Sequence, residues 1–234
     1  MKDVLVERGV DPAKISLVYN WVDEALFAPG AKPDPALRDD LRLGPDDFVV
    51  MYAGAMGMAQ GLTALLDGVA ITRHPIHLVM VGDGIDRENL ERHTAALGIG
   101  SRVHFLGRRP MASMPGLLAA ADVQAVCIRD TPLFRVNMPS KVQSLLAAGH
   151  PIVAVAVGDP AGAVLDAGAG WAADPANPTA VAAVLDAAAE AGTETLRRMG
   201  AAGRRSYETL MSAEIGSSRL GAILRAARTS CRRG

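Results

Sequence analysis

A chain of 234 residues has room for one large α/β domain, or for a domain with appendages. Half of the residues are apolar but only 4% are aromatic, so the core must be assembled from Ala, Val, Leu, Ile and Met. A formal net charge of −1 excludes a global pull toward nucleic acid or an anionic membrane, and no apolar run reaches the roughly 18 residues of a membrane span.

The two cysteines, Cys127 and Cys231, lie far apart and match no metal-ligand spacing, which fits a reducing compartment. With no signal-peptide pattern at the start, the expected location is cytoplasmic.

In chain order, residues 14–23 read as a short strand running into an asparagine-bearing turn, and the Pro- and Asp-rich stretch 30–40 as a surface connection. Gly44-Pro45-Asp46-Asp47 then introduces Phe48–Ala53, an apolar run of strand length, and Leu62, Leu65, Leu66 and Val69 follow at helical spacing. A second strand, Ile76–Val81, ends at Gly82-Asp83-Gly84, and Leu90, Thr94 and Leu97 mark one face of a charged helix. Residues 103–106 predict a third strand and 111–121 a helix. Residues 123–128 predict the fourth strand, 138–148 a helix and 152–157 the fifth strand.

Strands that are apolar throughout, each followed by a helix, predict a parallel sheet covered on both faces. The expected fold is therefore α/β, a doubly wound Rossmann-like sheet with ligands at the carboxyl ends of its strands.

Three helices follow the fifth strand. Asn177-Pro178-Thr179 opens one that carries Val181, Val184, Leu185 and Ala188 on one face. Residues 193–207 form a second, with Gly200 and Gly203 weakening its middle, and Ile215, Leu220, Ile223, Leu224 and Ala227 mark a last amphipathic helix. That is more than one Rossmann layer needs, so these extra C-terminal helices are expected to seek a surface outside the domain.

The chemistry concentrates at Val136-Asn137-Met138-Pro139-Ser140-Lys141, where a polar turn feeds a helix that ends at Gly149 before the strand at Ile152. Free N–H groups at a helix start, beside a lysine, make an anion site. The loop Gly54-Ala55-Met56-Gly57-Met58-Ala59-Gln60-Gly61 lets backbone approach a phosphate, or is simply a tight strand-to-helix turn. It is not a dinucleotide fingerprint: Gly54 and Gly57 are three apart, and Arg87 stands where Gly82-x-Gly84 would need a third glycine. The histidines, His74, His77 and His104 among them, show no ligand spacing, so no metal is expected. Asp122 reads as the cap of a strand start. Asp159 reads as a helix N-cap before Pro160, with a ligand contact as the alternative. The basic end, with Arg225, Arg228, Arg232 and Arg233, reads as a solvated helix terminus, with a peripheral contact to anionic lipid as the alternative.

Motifs in register over residues 15–210 carry a resemblance. Tyr19-Asn20-Trp21-Val22-Asp23 with Leu26-Phe27-Ala28-Pro29, the glycine-rich stretch from Tyr52 to Leu62, Val81-Gly82-Asp83-Gly84 and Val103-His104-Phe105-Leu106-Gly107 come first. Ala120-Ala121-Asp122-Val123, Ala147-Ala148-Gly149-His150-Pro151 and Trp171-Ala172-Ala173-Asp174-Pro175 complete the series. Together they resemble the C-terminal, donor-binding half of a family 4, or group 1, glycosyltransferase with the GT-B fold. The Ala-Gln-Gly and Pro-Ser-Lys variants look like the branch that makes colanic-acid and O-antigen type polysaccharides.

That resemblance implies a domain order. Residues 1–44 would lead in from a missing N-terminal Rossmann domain that binds the acceptor. Residues 45–192 would bind a nucleotide sugar, most commonly a UDP-sugar. Residues 193–234 would pack on the missing domain, and the orphaned face would favour dimerisation of the isolated chain. It implies retaining transfer of a hexosyl unit to a polysaccharide or lipid-linked acceptor, without metal or other cofactor.

It also implies site residues. Lys141, then Arg135, would neutralise the departing diphosphate. Gly57, Gln60 and Gly61 would approach the phosphates, and Asn137, Pro139 and Ser140 would meet the donor from the turn whose amides face the site. Arg108 would stack on the base, which relatives read largely by backbone. Asp159 falls roughly where relatives carry a sugar-contacting glutamate, which is the alternative to its reading as an N-cap. Two departures stand out. The arginine and lysine usual in the first glycine loop are absent, with Gln60 before Gly61. The family's two glutamates, eight residues apart, would fall at Val136 and Ser144, of which only Ser144 keeps a lesser grip on the ribose. The alternative function is therefore a non-catalytic nucleotide-sugar or partner-binding module. A different GT-B enzyme, such as a nucleotide-sugar epimerase, would need a cluster of carboxylates and histidine that the sequence does not show.

Overall fold

Residues 1–231 are described by the structure, a computed structural model. Two short helices, α1 (Lys2–Glu7) and α2 (Pro35–Asp40), precede the sheet. Its first half runs β1 (Phe48–Ala53), α3 (Thr63–Ala70), β2 (Ile76–Val81), α4 (Arg87–Ala96), β3 (Val103–Gly107), α5 (Met114–Ala119). The second runs β4 (Val123–Cys127), α6 (Pro132–Arg135), α7 (Ser140–Ala148), β5 (Ile152–Val155), α8 (Asp159–Asp166), β6 (Gly170–Ala173). Helices α9 (Pro178–Glu190), α10 (Gly192–Leu210) and α11 (Ala213–Cys231) follow.

All pairings are parallel and the strand order is β3-β2-β1-β4-β5-β6. The chain winds one way from β1 and the other way from β4, so the topological switch lies between those two strands, where open α/β sheets leave a crevice at their carboxyl ends. Successive residues of β1 point to opposite faces: Val50 and Tyr52 join one core layer with Leu65, Leu66, Leu78 and Met80. Val49 and Met51 join the other with Val79, Leu117, Leu118 and Leu146. Both faces are dry, which is why the strands lack a polar alternation. Asp122 staples the two inner strands at their start. Its carboxylate accepts from the Val49 N–H (2.7 Å) and from Arg38 (3.2 Å).

The α/β doubly wound reading agrees with this sheet, with several corrections. A sixth strand, β6, pairs with β5 as Val153↔Trp171. Residues 14–23 form no strand; only a 3-10 turn, Pro12–Lys14, is present. Tyr19 and Val22 pack instead on the second core layer, and the Val22 N–H donates to the Tyr207 hydroxyl (3.2 Å), so the segment is satisfied without a sheet edge. The helix predicted over 111–121 divides into a 3-10 turn, Met111–Ser113, and α5, because Pro115 and Gly116 interrupt its first turn. At 138–148 the helix begins only at Ser140, with Pro139 extended at its N-cap. Likewise α8 has Gly158 as its N-cap, and Asp159 makes no capping bond.

Helix α10 does not wait for a surface beyond the domain. It lies on α7, where a Cβ at Gly200 would stand 2.0 Å from the Gly149 carbonyl and one at Gly203 2.9 Å from Leu146. Those glycines weaken the helix locally and are kept for close approach. Tyr207 is fully buried, and α2 contributes the buried Leu37. Parts of both 1–44 and 193–234 therefore belong to the same core as 45–192. Helix α11 differs: Gly216 packs on Trp21, while Leu220 and Leu224 are exposed. Of the basic end, Arg232 and Arg233 lie outside the described residues.

Candidate functional site

A cavity of about 320 Å³ opens at the carboxyl ends of β1 and β2 and reaches down to Gln124 and Ala125 in the first half of β4, at the topological switch. Ala53-Gly54 and Val81-Gly82 form its mouth with Ser140 and Lys141 of α7. Phe27, Met111, Met114, Leu118 and Leu145 give it apolar walls, and Gln124, Ala125, Ser144, Arg108 and Arg109 also line it.

The mouth is set by backbone. The Gly54 N–H donates to the Val81 carbonyl and the Gly82 N–H to the Gly107 carbonyl, both at 2.8 Å, so the loops after β1, β2 and β3 are tied edge to edge. Gly82 has φ +128°, and a Cβ there would lie 1.9 Å from the Gly54 carbonyl oxygen. No side chain fits that position.

Lys141 dominates the chemistry. It is half-buried in the first turn of α7, where Pro139 supplies no side-chain cap. Its Nζ lies 3.4 Å above the centroid of the Tyr52 ring, so the aromatic face holds the ammonium. A Cβ on Gly54 would come 2.7 Å from that Nζ, so the glycine is what leaves the lysine room. The Tyr52 hydroxyl is turned away, donating to the Ala55 carbonyl (2.6 Å). Among the described residues no carboxylate pairs with Lys141. Desolvation lowers its pKa from 10.5 to about 7. Burial pushes the Cys127 thiol up to about 12, which leaves it neutral. An ammonium without a counter-ion, beside uncapped helix amides, is built to receive an anion.

Of the residues the sequence singles out, Lys141, Ser140, Ser144 and Arg108 meet around this cavity. Arg108 is 83% exposed and its Nε is 3.8 Å from Asp83, so its guanidinium is free to swing. The Ser144 hydroxyl donates to the Ser140 carbonyl (3.1 Å), leaving its oxygen able to accept.

The other predicted residues stand apart. The Arg135 guanidinium is engaged by both oxygens of Asp130, at 2.5 and 2.6 Å, and that carboxylate holds its pKa up. Arg135 does not line the cavity. Gly57, Gln60 and Gly61 lie on a 3-10 turn, Met58–Gln60, outside the lining. There the Gly57 N–H donates to Gln60 Oε1 (3.0 Å), so loop and side chain satisfy each other. Asn137 and Pro139 are also outside the lining. The amides expected to face a ligand are used in α6, with the Phe134 N–H on Thr131 Oγ1 (3.2 Å) and the Arg135 N–H on the Thr131 carbonyl (3.0 Å). Sequence reasoning missed Gln124, whose signal is a lone polar residue inside an apolar strand. It also missed Tyr52, which no sequence pattern distinguishes from core.

Among the described residues, no group of three or more His, Cys, Asp or Glu side chains could hold a metal ion. Nor is any helix among them long and apolar enough to cross a membrane.

Residues 34–206 match the family model described as glycosyl transferases group 1. The probable glycosyltransferase WbjE of Pseudomonas aeruginosa is 28% identical over 200 residues, covering 84% of this chain and 49% of that protein. The D-inositol 3-phosphate glycosyltransferase of Segniliparus rotundus is 31% identical over 202 residues, covering 83% and 43%. The chain thus spans about half the length of these curated relatives. Among solved structures, Anabaena HepE in complex with UDP superimposes with a TM-score of 0.79 at 20% identity, over 96% of this chain and 61% of that one. The C-terminal domain of the group 1 glycosyl transferase LpcC from Francisella tularensis gives a TM-score of 0.64 at 17% identity, over 82% and 99%.

Proposed function

From the premise that this chain belongs to the glycosyl transferases of group 1, we propose that it binds the nucleotide-diphosphate sugar, a UDP-sugar in particular, for a retaining hexosyl transfer. The acceptor, a polysaccharide or lipid-linked sugar, would be held by a second Rossmann domain of the whole enzyme, with α11 and its exposed leucines turned toward it. Work at the cytoplasmic face of a membrane fits a lipid-linked acceptor. The chain's own site needs neither metal nor cofactor for this role, because Lys141 and the start of α7 meet the diphosphate.

One observation carries the reading: an ammonium with no carboxylate partner among the described residues, held over Tyr52 at the mouth of a cavity at the sheet's switch point. Transfer leaves negative charge on the departing phosphate, and a preorganised cation with uncapped amides stabilises that charge without reorganisation. The Met111, Met114 and Leu118 walls suit a nucleoside, and Ser144 stands within the same cavity for the ribose.

Calorimetric titration of the chain with UDP, GDP and their sugar conjugates tests this, with Lys141→Ala as control. Micromolar binding of one nucleotide, abolished or weakened at least tenfold in the variant, is expected. A folded chain that binds none of them refutes the reading. Ser144 and Val136, at the positions where the family resemblance would place glutamates, favour a second reading, a binding module without catalysis. Donor hydrolysis or transfer by the full-length protein decides between the two.

A further inference from the structure

Gln124 sits in β4 between Met51 of β1 and Ile152 of β5, and is 1% exposed. Every neighbouring position on those strands is apolar, so a primary amide here is anomalous. Its Nε2 donates to the Leu118 carbonyl at 2.8 Å. Its Oε1 is buried and has no hydrogen-bond partner among the described residues. The amide cannot be turned round, because that would set two oxygens against each other. An orphaned buried acceptor costs stability and is retained where something else completes it.

The residue lines the cavity, among Leu118, Leu145, Met114 and Ala125, none of which has a polar side chain to offer. Strand rise of roughly 3.3 Å per residue sets Gln124 about 10 Å along β4 from Cys127, at the strand's end. The cavity therefore has a cationic, anion-receiving end at Lys141 and an apolar wall that carries one unpaired acceptor.

Resting on the nucleotide reading above, we infer that Gln124 is the base-selecting residue: its Oε1 accepts a hydrogen bond from a ring N–H of the nucleobase. With Nε2 committed to Leu118, the side chain offers an acceptor only. For a base held with its ring nitrogen at Oε1 it favours uracil or guanine, which carry a ring N–H, over cytosine, which presents a lone pair there and must shift to offer its exocyclic amine instead. Specificity of this kind is strong because the wrong base leaves a buried polar group unpaired.

The test is calorimetric titration of the chain with UDP, GDP, CDP and N3-methyl-UDP. UDP or GDP is expected to bind at least about tenfold more tightly than CDP. The size of the base distinguishes the first two. Methylation of the uracil ring nitrogen should cost a similar factor with the protein unaltered. In Gln124→Met, a swap of similar length, UDP affinity should fall about tenfold and the UDP/CDP ratio approach one. Urea stability should stay level or rise, since the orphan is gone and the Ala121 N–H still donates to the Leu118 carbonyl (3.3 Å). Lys141→Ala should weaken UDP and CDP alike and keep their ratio. Equal binding of UDP, CDP and N3-methyl-UDP by the unaltered chain, or an unchanged ratio in Gln124→Met, overturns the inference while the nucleotide site stands. Binding of no nucleotide by the unaltered chain sinks both.

Discussion

Replacing Lys141 by methionine keeps the side-chain stem and removes its charge. Burial takes the ammonium from its ordinary 10.5 to about 7. At 1.36 kcal/mol for each tenfold change in proton affinity, complete desolvation would cost the folded state about 5 kcal/mol. The open mouth lets water reach the half-buried group, and the Tyr52 face returns about 0.5–2 kcal/mol. Lys141→Met should thus be more stable than the unaltered chain by about 1–3 kcal/mol at pH 6. The sign follows from linkage. Between the folded value near 7 and the unfolded value near 10.5, the unfolded chain carries the extra proton, so stability of the unaltered chain rises with pH there. The advantage of Lys141→Met should be flat below pH 7 and shrink toward zero by about pH 10. Urea unfolding of both proteins at pH 6 and pH 9, with equal m-values, measures the difference. Nucleotide titration should show the more stable variant to be the weaker binder. A less stable Lys141→Met, or a gap that does not change with pH, would refute the account of Lys141 as a desolvated cation kept for its ligand.

Affinity for a UDP-sugar, whose diphosphate does not titrate near neutrality, should fall about tenfold between pH 6 and pH 8.5 as Lys141 loses its proton. Calorimetry at the two pH values reads this, and a flat profile contradicts it. Gly82→Ala forces a Cβ to within 1.9 Å of the Gly54 carbonyl at φ +128°, so it should destabilise the fold by about 2–5 kcal/mol and remove nucleotide binding. A melting temperature within a degree or two of the unaltered chain would speak against that close approach. Arg135→Gln should leave nucleotide affinity within about twofold, because the guanidinium is committed to Asp130 outside the cavity. A tenfold loss would return Arg135 to the site. Asp122→Ala strips the Val49 N–H and Arg38 of their shared acceptor and should cost about 1–3 kcal/mol in urea unfolding, with binding retained.

Sequence alone determined the alternation of strand and helix, because a sheet covered on both faces demands continuous apolar runs that no surface element tolerates, as in Phe48–Ala53 and Ile76–Val81. It also put the cation near a helix start, although the helix read over 138–148 begins only at Ser140, with Pro139 extended at its N-cap. What it did not hold was partnership. Arg135 and Lys141 are two cations on neighbouring segments, and only the path of the loop gives one of them Asp130 and the other Tyr52. Gly57 and Gln60 look poised for phosphate until the turn closes them on each other, while Gly54 and Gly82 acquire their role from contacts between loops far apart in the chain. Gly200 and Gly203 read as flaws in a helix because their purpose, the approach of α10 to α7, lies across a packed interface. Local pattern decides secondary structure through short-range sterics and burial. Which buried groups are left unpaired, Gln124 Oε1 above all, is decided only when distant segments come into contact.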